Sequence, residues 1–252
     1  MAIILKTAEQ LRLMKEAGRI TGEAILRARD VIRPGVSTWE VDRVIHDYIV
    51  KCGAKPSFLG YAGFPGSACV SVNSEVIHGI PSRTRILEEG DLVKVDVGAL
   101  YRGYHGDSAK TFAVGRVSAE ATALMERTKE CFYRGVAKAV VGNRIGDVGH
   151  AVQACAEEAG FSVVREYVGH GVGSHLHEEP DVPNYGTEGR GCRLYAGMTI
   201  AIEPMVNAGK AGVRVLPDGW TVVTSDGRLS AHYEHTVAVT DDGPVLLTDV
   251  GE

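Results

Sequence analysis

The residues with the most chemical potential in this chain are carboxylates placed where strands are expected. Asp91 to Ala99 and Tyr104 to Lys110 alternate as strands around Leu100-Tyr101-Arg102-Gly103, a four-residue loop ending in Gly, so together they predict a hairpin. With that loop, residues whose numbers sum to 203 face one another, and Asp96 stands directly opposite Asp107. Val93, Val95 and Val97 take one sheet face and Asp96 takes the other. Two like charges facing across a ladder destabilise it unless something positive sits between them, and a divalent cation is the simplest source. For an isolated acidic pair, exposure at a strand edge would be the better expectation.

Residues further along change that balance. Gly169-His170-Gly171-Val172-Gly173, His175-Leu176-His177-Glu178-Glu179-Pro180, Ile200-Ala201-Ile202-Glu203-Pro204 and His232-Tyr233-Glu234-His235-Thr236 follow in order. Glu203 shares a strand face with Ala201, and Glu234 lies among His232, Thr236 and Ala238. A carboxylate inside an apolar strand is unfavourable unless paired or metal-bound. Four carboxylates and a histidine form an oxygen-rich set suited to two hard or borderline divalent ions, and such ions, about 3.5 to 4 Å apart, activate water and polarise a carbonyl. Other chemistries are not indicated. Gly169-x-Gly171-x-Gly173 lacks the spacing of a dinucleotide loop, no G-x-S-x-G occurs, and nothing beside Cys69 would lower a thiol pKa.

The elements that must position these groups come in a repeated order. Thr7-Ala8-Glu9-Gln10 forms a capping box, followed by an apolar helix face from Leu13 to Val31 that Arg33-Pro34-Gly35 stops. Ser37-Thr38-Trp39-Glu40 opens a second helix that Gly53 ends. From about Ala68 to Val114 the apolar period becomes two, with strands expected over Val70 to Val72, Val76 to Ile80 and Val93 to Val97. Helices are then expected from Ser118 to Val141 and from Asp147 to Gly160, with strands again to the end. An offset of 107 residues lays Glu40-Val41 on Asp147-Val148 and Gly53 on Gly160. The expectation is therefore an α+β fold of two similar halves, approximately 1–115 and 116–252, sharing one sheet with helices on one face, in one domain spanning 1–252.

Composition narrows the function. Lys+Arg 27 against Asp+Glu 32 gives a net charge of -5, so no basic field exists to hold nucleic acid or an anionic membrane. Five widely spaced cysteines without C-x-x-C indicate neither a disulfide framework nor a zinc knuckle. Neither a signal peptide nor an apolar run of membrane-spanning length is evident, which predicts a cytoplasmic protein.

In register along nearly the whole chain, V-D-V-G…H-G-D at Asp96 and Asp107, G-H-G-V-G at His170, H-E-E-P at His177, E-P at Glu203 and Y-E-H-T at Glu234 closely resemble the type I methionine aminopeptidases. The resemblance implies the pseudo-twofold pita-bread fold and a dinuclear centre of Asp96, Asp107, His170, Glu203 and Glu234. In it, Asp107 and Glu234 would bridge two divalent ions (Mn, Fe, Co or Zn), Asp96 would hold one ion, and His170 with Glu203 the other. It further implies removal of the initiator methionine from nascent chains whose second residue is small. Water would attack the first peptide carbonyl with Glu203 relaying the proton. Carried over in the same way, His78 contacts the scissile amide and its neighbouring residue, and His177 the carbonyl oxygen where charge develops. Taken alone, each would more often be a satisfied core or surface histidine. His46, His105, His150, His175 and His232 have no such counterpart and are expected to be structural or solvated.

The family's methionine pocket maps onto Tyr61, Phe64, Cys69 and Trp220, residue types that suit a thioether, although plain core packing would also account for Tyr61 and Phe64. Phe58 stands where a cysteine is frequent, Ala62 where a histidine is and Leu176 where an aromatic is. One alternative is an Xaa-Pro peptidase of the same fold, which would usually carry an additional N-terminal domain, whereas only 95 residues precede Asp96. Type II enzymes carry a helical insertion between the two glutamates, and Glu203 to Glu234 spans only 31 residues. A non-catalytic binding module of this fold would be expected to lose metal ligands, and all five positions are filled here. No N-terminal zinc-finger extension is seen, so any ribosome contact would use the domain itself, and a monomer is expected.

Overall fold

The structure, a computed structural model, describes residues 3–251. Its first part contains α1 (Ala8–Val31), α2 (Thr38–Lys51), β1 (Ala68–Val72), β2 (Glu75–Ile77), β3 (Leu92–Tyr101) and β4 (Tyr104–Ala113). Its second part contains α3 (Ala119–Val136), α4 (Ile145–Glu158), β5 (Gly169–Gly171), β6 (Glu178–Val182), β7 (Thr199–Ile202), β8 (Met205–Asn207), β9 (Val222–Thr224), β10 (Ser230–His232), β11 (His235–Thr240) and β12 (Gly243–Leu246). Both capping boxes form: Thr7 exchanges bonds with Gln10, and Ser37 with Glu40. α3 ends earlier than its apolar period suggests. Past Val136 the chain tightens into i→i+3 bonds, Lys138 N to Gly135 O and Ala139 N to Val136 O, which satisfy the terminal carbonyls.

In the first part β3 pairs antiparallel with β4 on one edge and with β1 on the other. Val93, Val95 and Val97 are fully buried with Ile20, Ile25, Ile45 and Ile49 of α1 and α2. Burial of each such side chain contributes roughly 1.5–3 kcal/mol. The second part repeats the scheme with α3 and α4 packed on one another and a sheet ordered β12-β11-β7-β5-β6. The two sheets meet along β4. Ala109 and Glu234 exchange a reciprocal backbone pair, N to O at 3.3 and 2.8 Å, and the Ser108 and Thr111 hydroxyls donate to the carbonyls of Glu234 and His232. This is the antiparallel-rich pita-bread arrangement expected of the fold, and the seam lies where the carboxylates converge.

The hairpin differs in register from the sequence expectation. Its reversal is the two-residue Arg102-Gly103, both with positive φ (47° and 84°), as in the mirror-image turns that match strand twist. Tyr101 therefore pairs with Tyr104, Asp96 faces Ala109, and Asp107 faces Gly98. The aspartates are diagonal neighbours rather than directly opposed. They keep a common face because the partner shift is two residues, an even number. One residue before Asp107, a Cβ on Gly106 would sit 2.7 Å from the backbone of Gly18, so α1 crosses β4 at a glycine-to-glycine contact.

Candidate active site and metal centre

Each carboxylate reaches the seam from a different strand or from the residue adjoining one. Asp96 and Asp107 project from β3 and β4. Glu203 follows β7 and Glu234 precedes β11, two residues beyond the Ala201–Thr236 pair on the same side of the ladder. Asp107 is pinned by its neighbours: its N–H donates to Thr236 Oγ1 (2.9 Å), and that hydroxyl donates back to the Asp107 carbonyl (2.8 Å). Asp107, Glu203 and Glu234 are 3, 9 and 2 % exposed, so three carboxylates of like charge share a nearly dry site.

Burial, reinforced by their mutual repulsion, raises Asp96, Glu203 and Glu234 well above the usual carboxylate range, and burial pushes Asp107 up to about 7. Asp96 Oδ1 and Asp107 Oδ1 are buried without any hydrogen-bond partner. His170 on β5 completes the cluster. Its Nδ1–H donates to the Gly171 carbonyl (2.9 Å), leaving the Nε2 lone pair 3.5 Å from Glu203 Oε1 and 3.8 Å from Asp107 Oδ2. Burial lowers its pKa to about 3, so the ring is neutral. Asp107, His170 and Glu234 bring ligand atoms within 4.8 Å of one another. Orphaned carboxylate oxygens beside an imidazole lone pair are what a divalent cation satisfies, and the backbone bond on the far nitrogen fixes the ligating tautomer. The residues present therefore fit divalent metal.

Above this floor a cavity of about 420 Å³ is lined by every residue the sequence singled out: Tyr61, Phe64, Cys69, His78, His177 and Trp220 stand around Asp96, Asp107, His170, Glu203 and Glu234. Phe58, Phe64, Cys69 and Leu176 are buried in one apolar cluster with Trp220 against them. The Phe64 and Trp220 rings meet edge on at 5.1 Å. Burial pushes the Cys69 thiol well up, so it is an apolar wall and not a nucleophile. His78 sits just past β2 with a φ of 58°, a conformation that L side chains seldom adopt, and its ring lies edge on to Tyr167 (5.8 Å) and Trp220 (6.3 Å). His177 stands at the rim with Nδ1 2.7 Å from the Tyr61 hydroxyl, and its ring centroid is 4.0 Å from that of His170. The loop that carries it is tied down by the buried Lys6–Glu178 pair (2.6 Å) and by the His175 N–H on Glu178 Oε1 (3.1 Å).

Two features escaped the sequence. Tyr167 lines the cavity without any motif to mark it. His232, expected to be structural or solvated, is 1 % exposed with Nε2 3.9 Å from both Glu203 Oε2 and Glu234 Oε2, and neither ring nitrogen has a partner. The signal available was its spacing, two residues from Glu234 in an alternating segment and so on the same side. The remaining histidines fit the expectation where their surroundings are defined. His105 Nδ1 meets Ser57 Oγ and His46 Nδ1 meets Ser67 Oγ, both at 2.8 Å, and the His175 side chain is 78 % exposed.

A two-part sheet framing buried carboxylates and a neutral histidine under an apolar cleft defines a metal-dependent peptidase, and residues 12–241 match the model of metallopeptidase family M24. The methionine aminopeptidase of Clostridium acetobutylicum is 52% identical over 246 residues, covering 98% of each chain. Methionine aminopeptidase 1 of Bacillus subtilis is 51% identical over 98% of this chain and 100% of its own. The crystal structure of methionine aminopeptidase from Thermotoga maritima superposes with a TM-score of 0.97 at 45% identity, over 98% of this chain and 100% of that one. The chain belongs to the methionine aminopeptidase family within M24.

Proposed function

We propose that the chain removes the N-terminal methionine from nascent proteins and peptides whose second residue is small. The observation that carries this is the placement of three buried carboxylates, the half-buried Asp96 and a neutral histidine at the floor of a cleft walled by Phe64, Cys69 and Trp220. Two divalent ions would be held by Asp96, Asp107, His170, Glu203 and Glu234, and Mn, Fe, Co or Zn all suit that donor set. When bound, the ions supply an activated water and polarise the substrate carbonyl.

The chain's own residues do the rest. Phe64, Cys69, Trp220, Phe58 and Leu176 enclose the thioether by apolar and sulfur–aromatic contact. With the Tyr61 hydroxyl, 2.7 Å away, as donor to His177 Nδ1, the ring proton sits on Nε2 and would donate to the oxygen where charge develops. His78 is held at the scissile amide by a backbone conformation that its neighbours over-determine. Glu203, whose pKa is raised by burial and by its carboxylate neighbours, takes the proton from water and returns it to the departing amine.

Further parts of the proposal are one catalytic domain built of halves near 1–115 and 116–252, a monomer working in the cytoplasm on chains at or near the ribosome, and no direct nucleic-acid binding. Among the described residues no helix is long and apolar enough to cross a membrane. The test is methionine release from Met-Ala-Ser, with Met-Pro and Ala-Pro peptides beside it, on chelated protein before and after Mn or Co is restored. Metal-dependent cleavage of Met-Ala-Ser that spares Ala-Pro is the expected result. Cleavage of Ala-Pro would favour an Xaa-Pro peptidase, and no cleavage by folded, metal-restored protein would return the chain to a binding role.

A further inference from the structure

The fold holds one polar ring in a place that its own hydrogen bonds do not explain. The His232 backbone is clamped, its N–H donating to Thr111 Oγ1 (2.9 Å) and its carbonyl accepting from the same hydroxyl (2.8 Å), while β10 pairs it with Met205. Its imidazole is therefore delivered to a fixed spot, fully buried, with Nδ1 and Nε2 both lacking a partner. Buried polar groups are almost always satisfied, and an orphan costs about 1–3 kcal/mol. The acidic groups that face this ring are Glu203 Oε2 and Glu234 Oε2, each 3.9 Å from Nε2, beyond a hydrogen bond but within a small side-chain rotation of one.

We propose that His232 is a positioning residue for the metal centre: its Nε2–H donates to the Oε2 edge of Glu203 and Glu234, turning the other oxygen of each glutamate toward the cation. The inference rests on the metal-centre reading given above and extends it to a residue outside the ligand set. Cation binding draws the glutamates into one geometry, and the imidazole on their far side selects which oxygen of each is left for coordination. Partners of this kind, one shell out from the ion, commonly change metal affinity by about 10- to 100-fold. The orphaned Nε2 follows from the same arrangement, since both glutamate oxygens stand 3.9 Å from it.

The experiment measures Mn²⁺ affinity, from free Mn²⁺ by electron paramagnetic resonance, and the melting temperature of chelated protein, for wild type, His232→Leu, His232→Gln and Asp107→Asn. H232L is expected to bind Mn²⁺ about 10- to 100-fold more weakly while melting no lower than wild type when chelated, because an apolar group replaces unsatisfied nitrogens. H232Q retains a donor and is expected to recover most of the affinity. Wild-type affinity in H232L, an H232Q as weak as H232L, or a chelated H232L that melts lower or fails to fold would each overturn the proposal and make His232 a structural residue. D107N reports separately on the underlying reading. If it binds Mn²⁺ like wild type, the metal centre itself falls; if it is defective while H232L is not, only the role of His232 falls.

Discussion

At the scale of single residues the site is defined by protonation as much as by position. Burial raises all four carboxylates above their unfolded values, Asp107 to about 7, so the folded, cation-free protein binds more protons than the unfolded chain. Stability of that form therefore falls as pH rises from about 4 toward neutrality, and a cation, which competes with those protons, offsets the loss. The gap in melting temperature between Mn-loaded and chelated protein should accordingly widen between pH 5 and 7; a constant gap would show that these carboxylates are not the groups that exchange protons for metal. Glu203→Gln should lower kcat by about 10²- to 10⁴-fold, the usual size of a general acid–base contribution, as read by methionine release at saturating metal. Tyr61→Phe keeps the ring and removes the hydroxyl from His177 Nδ1. It should reduce kcat about tenfold with KM nearly unchanged, and ¹⁵N NMR should show His177 shifting between tautomers; an unchanged kcat would leave Tyr61 as a wall of the pocket only.

At the scale of elements, what aims the ligands is close packing of strands and helices rather than the loops around the cleft. β4 can carry Asp107 to the seam because α1 lies almost directly on it, the Gly18 backbone leaving no room for a Cβ on Gly106, while a Cβ on Gly18 would meet the Leu247 carbonyl on the other side. Gly106→Ala would force α1 and β4 apart. The expected result is a loss of about 1–3 kcal/mol in urea unfolding together with weaker metal binding, since Asp107 is the next residue. An alanine that cost stability and left metal affinity intact would show that the Thr236 bonds alone hold Asp107 in place. The rim works differently. The His177 loop is anchored by Lys6, a residue that precedes α1 in the chain, through a pair whose side chains are only 3 and 6 % exposed. The rim loop and the floor are thus tied to adjoining segments, Lys6 just before α1 and α1 itself.

At the scale of the molecule, carboxylates from both parts of the chain meet at one seam, so a cation bound there would join them. With ligand at a hundredfold excess over Kd, binding to the folded state alone stabilises it by about 2.7 kcal/mol. For a chain of this length each kcal/mol is worth about 2–4 °C, which predicts a rise of roughly 5–10 °C in melting temperature on adding Mn to chelated protein. D107N should abolish the rise, and calorimetry should show one transition in both states if the seam makes the two parts unfold together. Two separate transitions would mean that Ala109–Glu234 and the hydroxyl bonds beside it do not couple them.

What the sequence determined was whatever depends on neighbours in the chain. Helix starts followed from Thr7-x-x-Gln10 and Ser37-x-x-Glu40, strand faces from the alternation of Val93, Val95 and Val97, and the interest of four carboxylates from their oddity in apolar strands, while the proposed ligand set, with His170, came from family likeness. The hairpin register was not legible. Arg102 carries the positive φ that a two-residue turn needs at its first position, and nothing in a non-glycine residue announces that conformation; strand twist selected it over the looser loop. Nor was the environment of His232, whose type and spacing suit a solvated histidine equally well. Only the meeting of β4 with the segment 232–236 excluded water from that ring and set it behind two glutamates, because burial and distance between residues far apart in the chain arise from packing and have no local signature.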